Sequence, residues 1–230
     1  MIKTIVVVGA SRGIGRDTVL KFAKDKNNHV IALARNFSKL EKSFGSFDNI
    51  EFHTFDLCGD NPRVTLENFL AKVPRVDILI NNAGYLVNKP FLEITNDDLT
   101  ASFNANAIGV MQSVQAVLPK MLENGGHVLS ISTMGAFQGS AKFPGLAAYS
   151  SSKTGVLTMT ELLAEEFKDH NVKFNCLCLG AVQTEMLEEA FPGYKAPLSS
   201  SEMADYIYDF ALNAPKFLNG KIIPVSLSTP

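Results

Sequence analysis

Cysteine is scarce: Cys58, Cys176 and Cys178 are the only three in 230 residues. An odd count excludes full intrachain pairing and fits a reducing compartment, the cytoplasm. Cys176 and Cys178 alternate in Val-Lys-Phe-Asn-Cys-Leu-Cys-Leu, so both face one side of a strand and read as small core residues. The few histidines, His29, His53, His127 and His170, lack ligand spacing, and no metal site is expected. Neither sign of charge is in excess, the formal net charge being -2. That leaves no electrostatic footprint for nucleic acid or an anionic membrane. No apolar run approaches the ~20 residues of a membrane span. The short N-terminal run, Ile5 to Val8, meets Gly9 directly and reads as a buried strand rather than a signal peptide.

What is present is an alternation. Hydrophobic residues make up 46% and charged residues 19%, as in an ordinary globular protein. Apolar, β-branched runs predict strands over 4–8, 29–33, 50–55, 76–80, 127–131, 172–177 and 221–225. Amphipathic stretches between them predict helices over 14–24, 38–44, 63–71, 97–122, 148–168 and 201–213. Such alternation implies βαβ units and a mostly parallel sheet with helices on both faces. The expected architecture is α/β, a three-layer doubly wound parallel sheet of about seven strands in a single domain, residues 1–230. Pro119 should end or kink the long helix over 97–122.

Two local patterns carry chemistry. After the first strand, Gly9-Ala-Ser11-Arg12-Gly13-Ile14-Gly15 opens directly into a helix. Glycines let the backbone turn sharply and approach a pyrophosphate, and the helix N-terminus offers free N–H groups and a positive dipole end. About 20 residues further, such folds place a carboxylate on a ribose 2′-hydroxyl or an arginine on a 2′-phosphate. Here Ala34-Arg35-Asn36 has no carboxylate, so Arg35, with Arg12 from the turn, predicts NADP(H). The second pattern is Tyr149-Ser-Ser-Ser-Lys153. At i and i+4 both side chains share one helical face, and an ammonium beside a phenol lowers its pKa from about 10. Alone, that spacing also describes a solvated helix face.

The spacing G-x-x-x-G-x-G, the later Asn81-Asn82-Ala83-Gly84 and Tyr-x-x-x-Lys, in this order, resemble the short-chain dehydrogenase/reductase family, whose fold is of the Rossmann type. The resemblance runs from Val6 to about Val225. It implies hydride transfer between nicotinamide and a carbonyl or alcohol substrate, with Tyr149 as proton donor or acceptor and Lys153 as its tuner and ribose ligand. It further implies a catalytic Asn106 that holds a water. A hydroxyl at Thr133 replaces the usual serine, with Ser132 the alternative; the two point to opposite faces if the strand persists. Asp56 and Leu57 are implied at the adenine, and Asn82, Ala83 and Gly84 beside the cofactor or bracing the sheet. Val182 and Thr184 are implied at the carboxamide, after a Leu179-Gly180 that stands where the family has Pro-Gly. The substrate cap, about 184–200, is short, and an open or shallow pocket is expected. The tail after Val225 lacks the family's Asp-Gly-Gly, so a homodimer and a homotetramer both stay open, the dimer through the helices 97–122 and 148–168. A ketone or 3-oxoacyl reductase is the leading reading. A non-catalytic dinucleotide-binding regulator or a scaffold with vestigial sites are the alternatives.

Overall fold

The computed structural model describes residues 2–227; Met1 and the last three residues of the tail lie outside them. In chain order the elements are β1 (Lys3–Val8), α1 (Gly13–Ala23), β2 (Asn28–Ala34), α2 (Phe37–Phe44), β3 (Ile50–Thr54), α3 (Pro62–Phe69), β4 (Ile78–Asn81), α4 (Asn96–Phe103), α5 (Gly109–Val117), β5 (Gly126–Thr133), α6 (Ala147–Glu166), β6 (Val172–Leu179), β7 (Val182–Gln183), α7 (Glu185–Ala190), β8 (Leu198–Ser199), α8 (Ser200–Asn213) and β9 (Lys221–Val225). Seven strands form one parallel sheet in the order β3-β2-β1-β4-β5-β6-β9, and β7 pairs with β8 apart from it.

The strands are apolar throughout because both faces are covered. Ile5 and Val7 of β1 pack on one side with Phe22 of α1 and Ile207 of α8. Val6 and Val8 pack on the other with Leu66 of α3, Val114 of α5 and Val156 of α6. The period-2 alternation of strand side chains makes these two half-cores out of one apolar run. Cys176 and Cys178 both lie buried in the second half-core, as their alternation predicts.

After β3 the chain crosses back to β4, on the far side of β1. The sheet therefore grows in opposite directions from the β1–β4 boundary, and a crevice opens beyond the carboxyl ends of those strands. The expected helix over 97–122 is broken twice. A π turn, Asn104–Ile108, separates α4 from α5, and Pro119 sits in the 3-10 turn Leu118–Lys120 that ends the run. Proline lacks the N–H that would continue the helix.

His127, the second residue of β5, is buried. Its Nδ1 donates to the Ala211 carbonyl at 3.0 Å, and its Nε2 accepts from Asn175 Nδ2 at 3.1 Å. Both nitrogens are thus served in the neutral ring, and burial pushes the pKa down to about 4. The unfolded chain, with an ordinary histidine near 6.5, binds a proton that the folded chain refuses. Stability from this group is therefore complete above about pH 6.5 and is lost as pH falls toward 4, by about 3 kcal/mol in all. Urea unfolding at pH 6.5 and pH 4.5 should show a steeper loss in the wild type than in His127→Gln. Equal losses in the two proteins would remove His127 from the acid sensitivity.

Candidate active site

The glycine turn is built first for close packing. Gly9 has φ +90°, and a Cβ on it would lie 2.6 Å from the Ala83 backbone, so only glycine lets β1 and the end of β4 approach this closely. Asn82 Nδ2 donates to the Gly9 carbonyl at 2.9 Å, and a Cβ on Gly15 would meet that same amide. The N–H groups of Gly9 and Ala10 both donate to the Leu33 carbonyl, at 2.8 and 3.0 Å. The turn is thereby fixed to β2. Beyond it α1 starts with no side-chain cap and no acidic residue in its first turn. Its first N–H groups and positive dipole end stay available to an anion.

One cleft of about 1140 Å³ runs from this turn to α6. It is lined by the predicted residues Gly9, Ser11, Arg12, Gly13, Ile14, Arg35, Asp56, Leu57, Asn82, Ala83, Gly84, Thr133, Tyr149, Lys153, Val182 and Thr184. Gly15 and Asn106 do not line it. Gly15 serves the packing just described, and Asn106 lies fully buried behind the wall. The volume exceeds the roughly 300–1,000 Å³ of a pocket for one ligand. The cleft spans the cofactor and substrate ends together, and its wall includes the exposed rings of Phe143 and Tyr194. α7 and the residues after it contribute Leu187, Phe191 and Tyr194 to that wall.

Cations gather at the end of the cleft near β2. Arg35 is exposed there, and Lys39, in the first turn of α2, joins it. Sequence reasoning missed Lys39, although a second basic residue four positions after Arg35 was a usable signal. Arg12 departs from expectation. Its guanidinium forms a forked ion pair with Glu189 of α7, the Nη2–Oε2 contact being 2.9 Å. That hydrogen bond raises the Arg12 pKa, and with Lys39 nearby it lowers that of Glu189. Asp56 accepts from the Cys58 N–H at 2.9 Å with one carboxylate oxygen, which orients the residue at the cleft edge.

At the other end lie Tyr149 and Lys153, one turn apart on α6. Lys153 is buried, and its ammonium donates to the Ala83 and Ile131 carbonyls, each at 3.0 Å. Burial pushes its pKa down to about 8, so it remains largely charged at neutral pH. Tyr149 is half-buried at the cleft wall, and burial pushes its pKa up to about 12. The expectation that Lys153 lowers it is thus reversed in this structure. The ammonium is directed at two backbone carbonyls, and desolvation of the phenolate dominates.

Asn106 sits in the π turn. Its Oδ1 accepts from the Tyr85 N–H at 2.8 Å, and its Nδ2 donates to the Tyr85 carbonyl at 2.8 Å and to Ser152 Oγ at 2.9 Å. The side chain is fully occupied in locking the segment after β4 against α6. A Cβ on Gly84 would lie 3.3 Å from Lys153 Nζ and 3.4 Å from Asn106 Oδ1, so this glycine keeps the space between them open. Ser152 gave no sequence signal, because nothing local marks a serine as the partner of a residue 46 positions away. β5 persists through Thr133, so Ser132 and Thr133 do point to opposite faces. Ser132 is buried and donates to the Lys153 carbonyl at 3.2 Å. Thr133 accepts from the Gly135 N–H at 3.3 Å, which leaves its own hydroxyl proton free. Both residues line the cleft, but the Ser132 proton is committed to Lys153, whereas Thr133 keeps its own free. Thr184 caps α7 by accepting from the Leu187 N–H at 3.2 Å.

A family model described as short chain dehydrogenase matches residues 3–195. The chain is 36% identical over 183 residues to carbonyl reductase [NADPH] 2 of Sus scrofa, covering 79% of this chain and 72% of that protein. It is 31% identical to L-xylulose reductase of Mesocricetus auratus, with the same 79% and 72% coverage. Among solved structures, ElxO with NADP bound superposes with a TM-score of 0.86 at 26% identity, over 98% of each chain.

Proposed function

Because this chain belongs to the short chain dehydrogenase family and is an NADP(H)-dependent oxidoreductase acting on a CH–OH/C=O group, we propose that it works as a carbonyl reductase with Tyr149 as its proton donor. The observation that carries this reading is the position of Tyr149. It lines the same cleft as Thr133, whose hydroxyl proton is free, and its pKa is raised to about 12. A phenol held that high stays protonated across the neutral range, which suits donation in the direction of reduction.

The residues fit a dinucleotide phosphate. The uncapped first turn of α1 receives the pyrophosphate, and Arg35, Lys39 and Arg12 receive the 2′-phosphate. Asp56 and Leu57 face the adenine, and Val182 and Thr184 the carboxamide. When bound, the nicotinamide supplies a hydride to the carbonyl carbon. Tyr149 gives its proton to the carbonyl oxygen while Thr133 donates a hydrogen bond to it. Lys153 is anchored after β4 and in β5 by the Ala83 and Ile131 carbonyls, one turn from the phenol, and is placed to bind the nicotinamide ribose. Asn106 acts as a positioning residue. Its amide holds Tyr85 and Ser152, and the π turn around it releases a backbone carbonyl from ordinary helical pairing to bind a relay water. NADPH consumption on a panel of ketones, aldehydes and 3-oxoacyl thioesters tests the reading. Tight NADPH binding with no turnover on any of them would reduce the protein to a binding module.

A homodimer fits the surface. Phe103, Ile108 and Met111 of the α4–α5 run and Leu162 of α6 are exposed apolar side chains on neighbouring elements, Leu162 being 63% exposed. Burial of such a patch drives association. Light scattering should report a dimer for the wild type and a monomer for Phe103→Glu/Leu162→Glu; an unchanged mass would place the interface elsewhere. No described helix is long and apolar enough to cross a membrane. The free thiols, Cys58 exposed among them, fit the cytoplasm.

A further inference from the structure

The cleft segregates its charges. The charged residues in its wall are Arg12, Arg35, Lys39, Asp56, Lys153 and Glu185. Glu185 belongs with the glycine turn, because its Oε2 lies 3.4 Å from where a Cβ on Gly13 would stand and it acts on Arg12. Arg12 and Lys39 both act on Glu189, and Arg35 and Asp56 both act on Cys58, so these charges cluster at the adenosine end. Lys153 is committed to two backbone carbonyls. No charged side chain of the described wall remains for a substrate.

The walls around Tyr149 are of a different kind. Leu86, Met134, Phe143, Leu146, Phe191 and Tyr194 line them. Three segments supply these residues and are tied to one another. The Lys89 N–H donates to the Gly145 carbonyl at 3.0 Å, and Asn88 Nδ2 donates to the Ala190 carbonyl at 2.8 Å. The apolar ring is thus held in place around the proton donor. Two of its aromatic rings, Phe143 and Tyr194, are 58% and 50% exposed, which leaves apolar surface for a substrate to cover.

Resting on the reductase reading above, we infer that the substrate is an uncharged ketone or aldehyde whose carbonyl carries an aromatic or branched aliphatic group. Anionic acids, phosphates and polyhydroxylated sugars are excluded. A carboxylate entering this ring loses its water and gains no cation, and the several hydroxyls of a sugar outnumber the few that Thr133, Tyr149 and Tyr194 can serve, so most lose water unpaired. The apolar substituent gains burial against rings already in position.

A matched pair isolates the charge: methyl 4-acetylbenzoate and 4-acetylbenzoate share one ring and one ketone. For the enzyme with NADPH, kcat/KM for the ester should exceed that for the acid by about a hundredfold, the effect of an unpaired carboxylate in an apolar site. L-xylulose should fall with the acid. Saturation-transfer NMR on the enzyme–NADP⁺ complex reads binding without turnover, and it should rank the ester above the acid likewise. Phe143→Lys places a cation on an exposed position of the ring and should shrink the ester-to-acid ratio about tenfold. A wild-type ratio below ten, L-xylulose turned over as well as the ester, or no binding of the ester would each overturn the inference. If the ester binds selectively and neither compound is reduced, the apolar site stands and the reductase reading falls.

Discussion

Tyr149→Phe should lower kcat by roughly 10²–10⁴-fold, the usual contribution of a positioned general acid. The Kd for NADP(H) should stay within about twofold of wild type. The phenol oxygen is the only atom removed, and Lys153, the residue tied into the sheet, keeps its bonds to Ala83 and Ile131. Because burial holds the phenol near 12, reduction should depend little on pH through the neutral range. The reverse reaction, which needs the phenol to accept a proton, should accelerate as pH rises. Isothermal calorimetry for NADP(H) and stopped-flow turnover separate binding from chemistry. A variant that retains more than a tenth of the wild-type kcat would take the phenol out of the mechanism.

The second large effect lies at the other end of the cleft. Arg35→Ala should weaken NADPH binding by roughly 10–100-fold, the worth of a charge-assisted hydrogen bond to a phosphate. NADH binding should change little, so the preference for NADPH in kcat/KM collapses. Arg12→Ala should act in the same direction but less strongly. Arg12 already holds Glu189, and the phosphate must compete with that carboxylate. Glu189→Gln therefore carries the opposite sign. Removing the competitor from an exposed pair should tighten NADPH binding by about two- to fivefold, since such pairs are worth at most about 1 kcal/mol. A wild-type enzyme that prefers NADH, or an Arg35→Ala variant with an unchanged NADPH-to-NADH ratio, would refute the assignment of the 2′-phosphate site.

These two sites were legible in the sequence to different degrees, for a physical reason. The sheet and the glycine turn are local or periodic features. Val6 and Val8 alternate with Ile5 and Val7 because a strand buried on both faces needs apolar residues at every position. Gly9 is glycine because no Cβ fits against Ala83, and its place between a strand and a helix is visible in the chain. Tyr149 and Lys153 share a helical turn, so their proximity follows from spacing alone. The choice of NADP(H) also followed from residues near one strand end, an arginine where a carboxylate would otherwise stand.

Only the tertiary structure could decide the rest, because it depends on residues far apart in sequence and on how much water each group loses. Arg12 meets Glu189 across 177 positions. Ser132 commits its proton to the Lys153 carbonyl, and Thr133 keeps its own free. Asn106 spends its amide on Tyr85 and Ser152 instead of facing the cleft. The short cap puts Leu187, Phe191 and Tyr194 into the cleft wall, and Asn88 ties it to the segment after β4. Above all, the sign of the Tyr149 shift follows from burial. Spacing put a cation beside the phenol and predicted a lower pKa. The fold directs that cation to two carbonyls, and partial burial of the phenol raises its pKa instead.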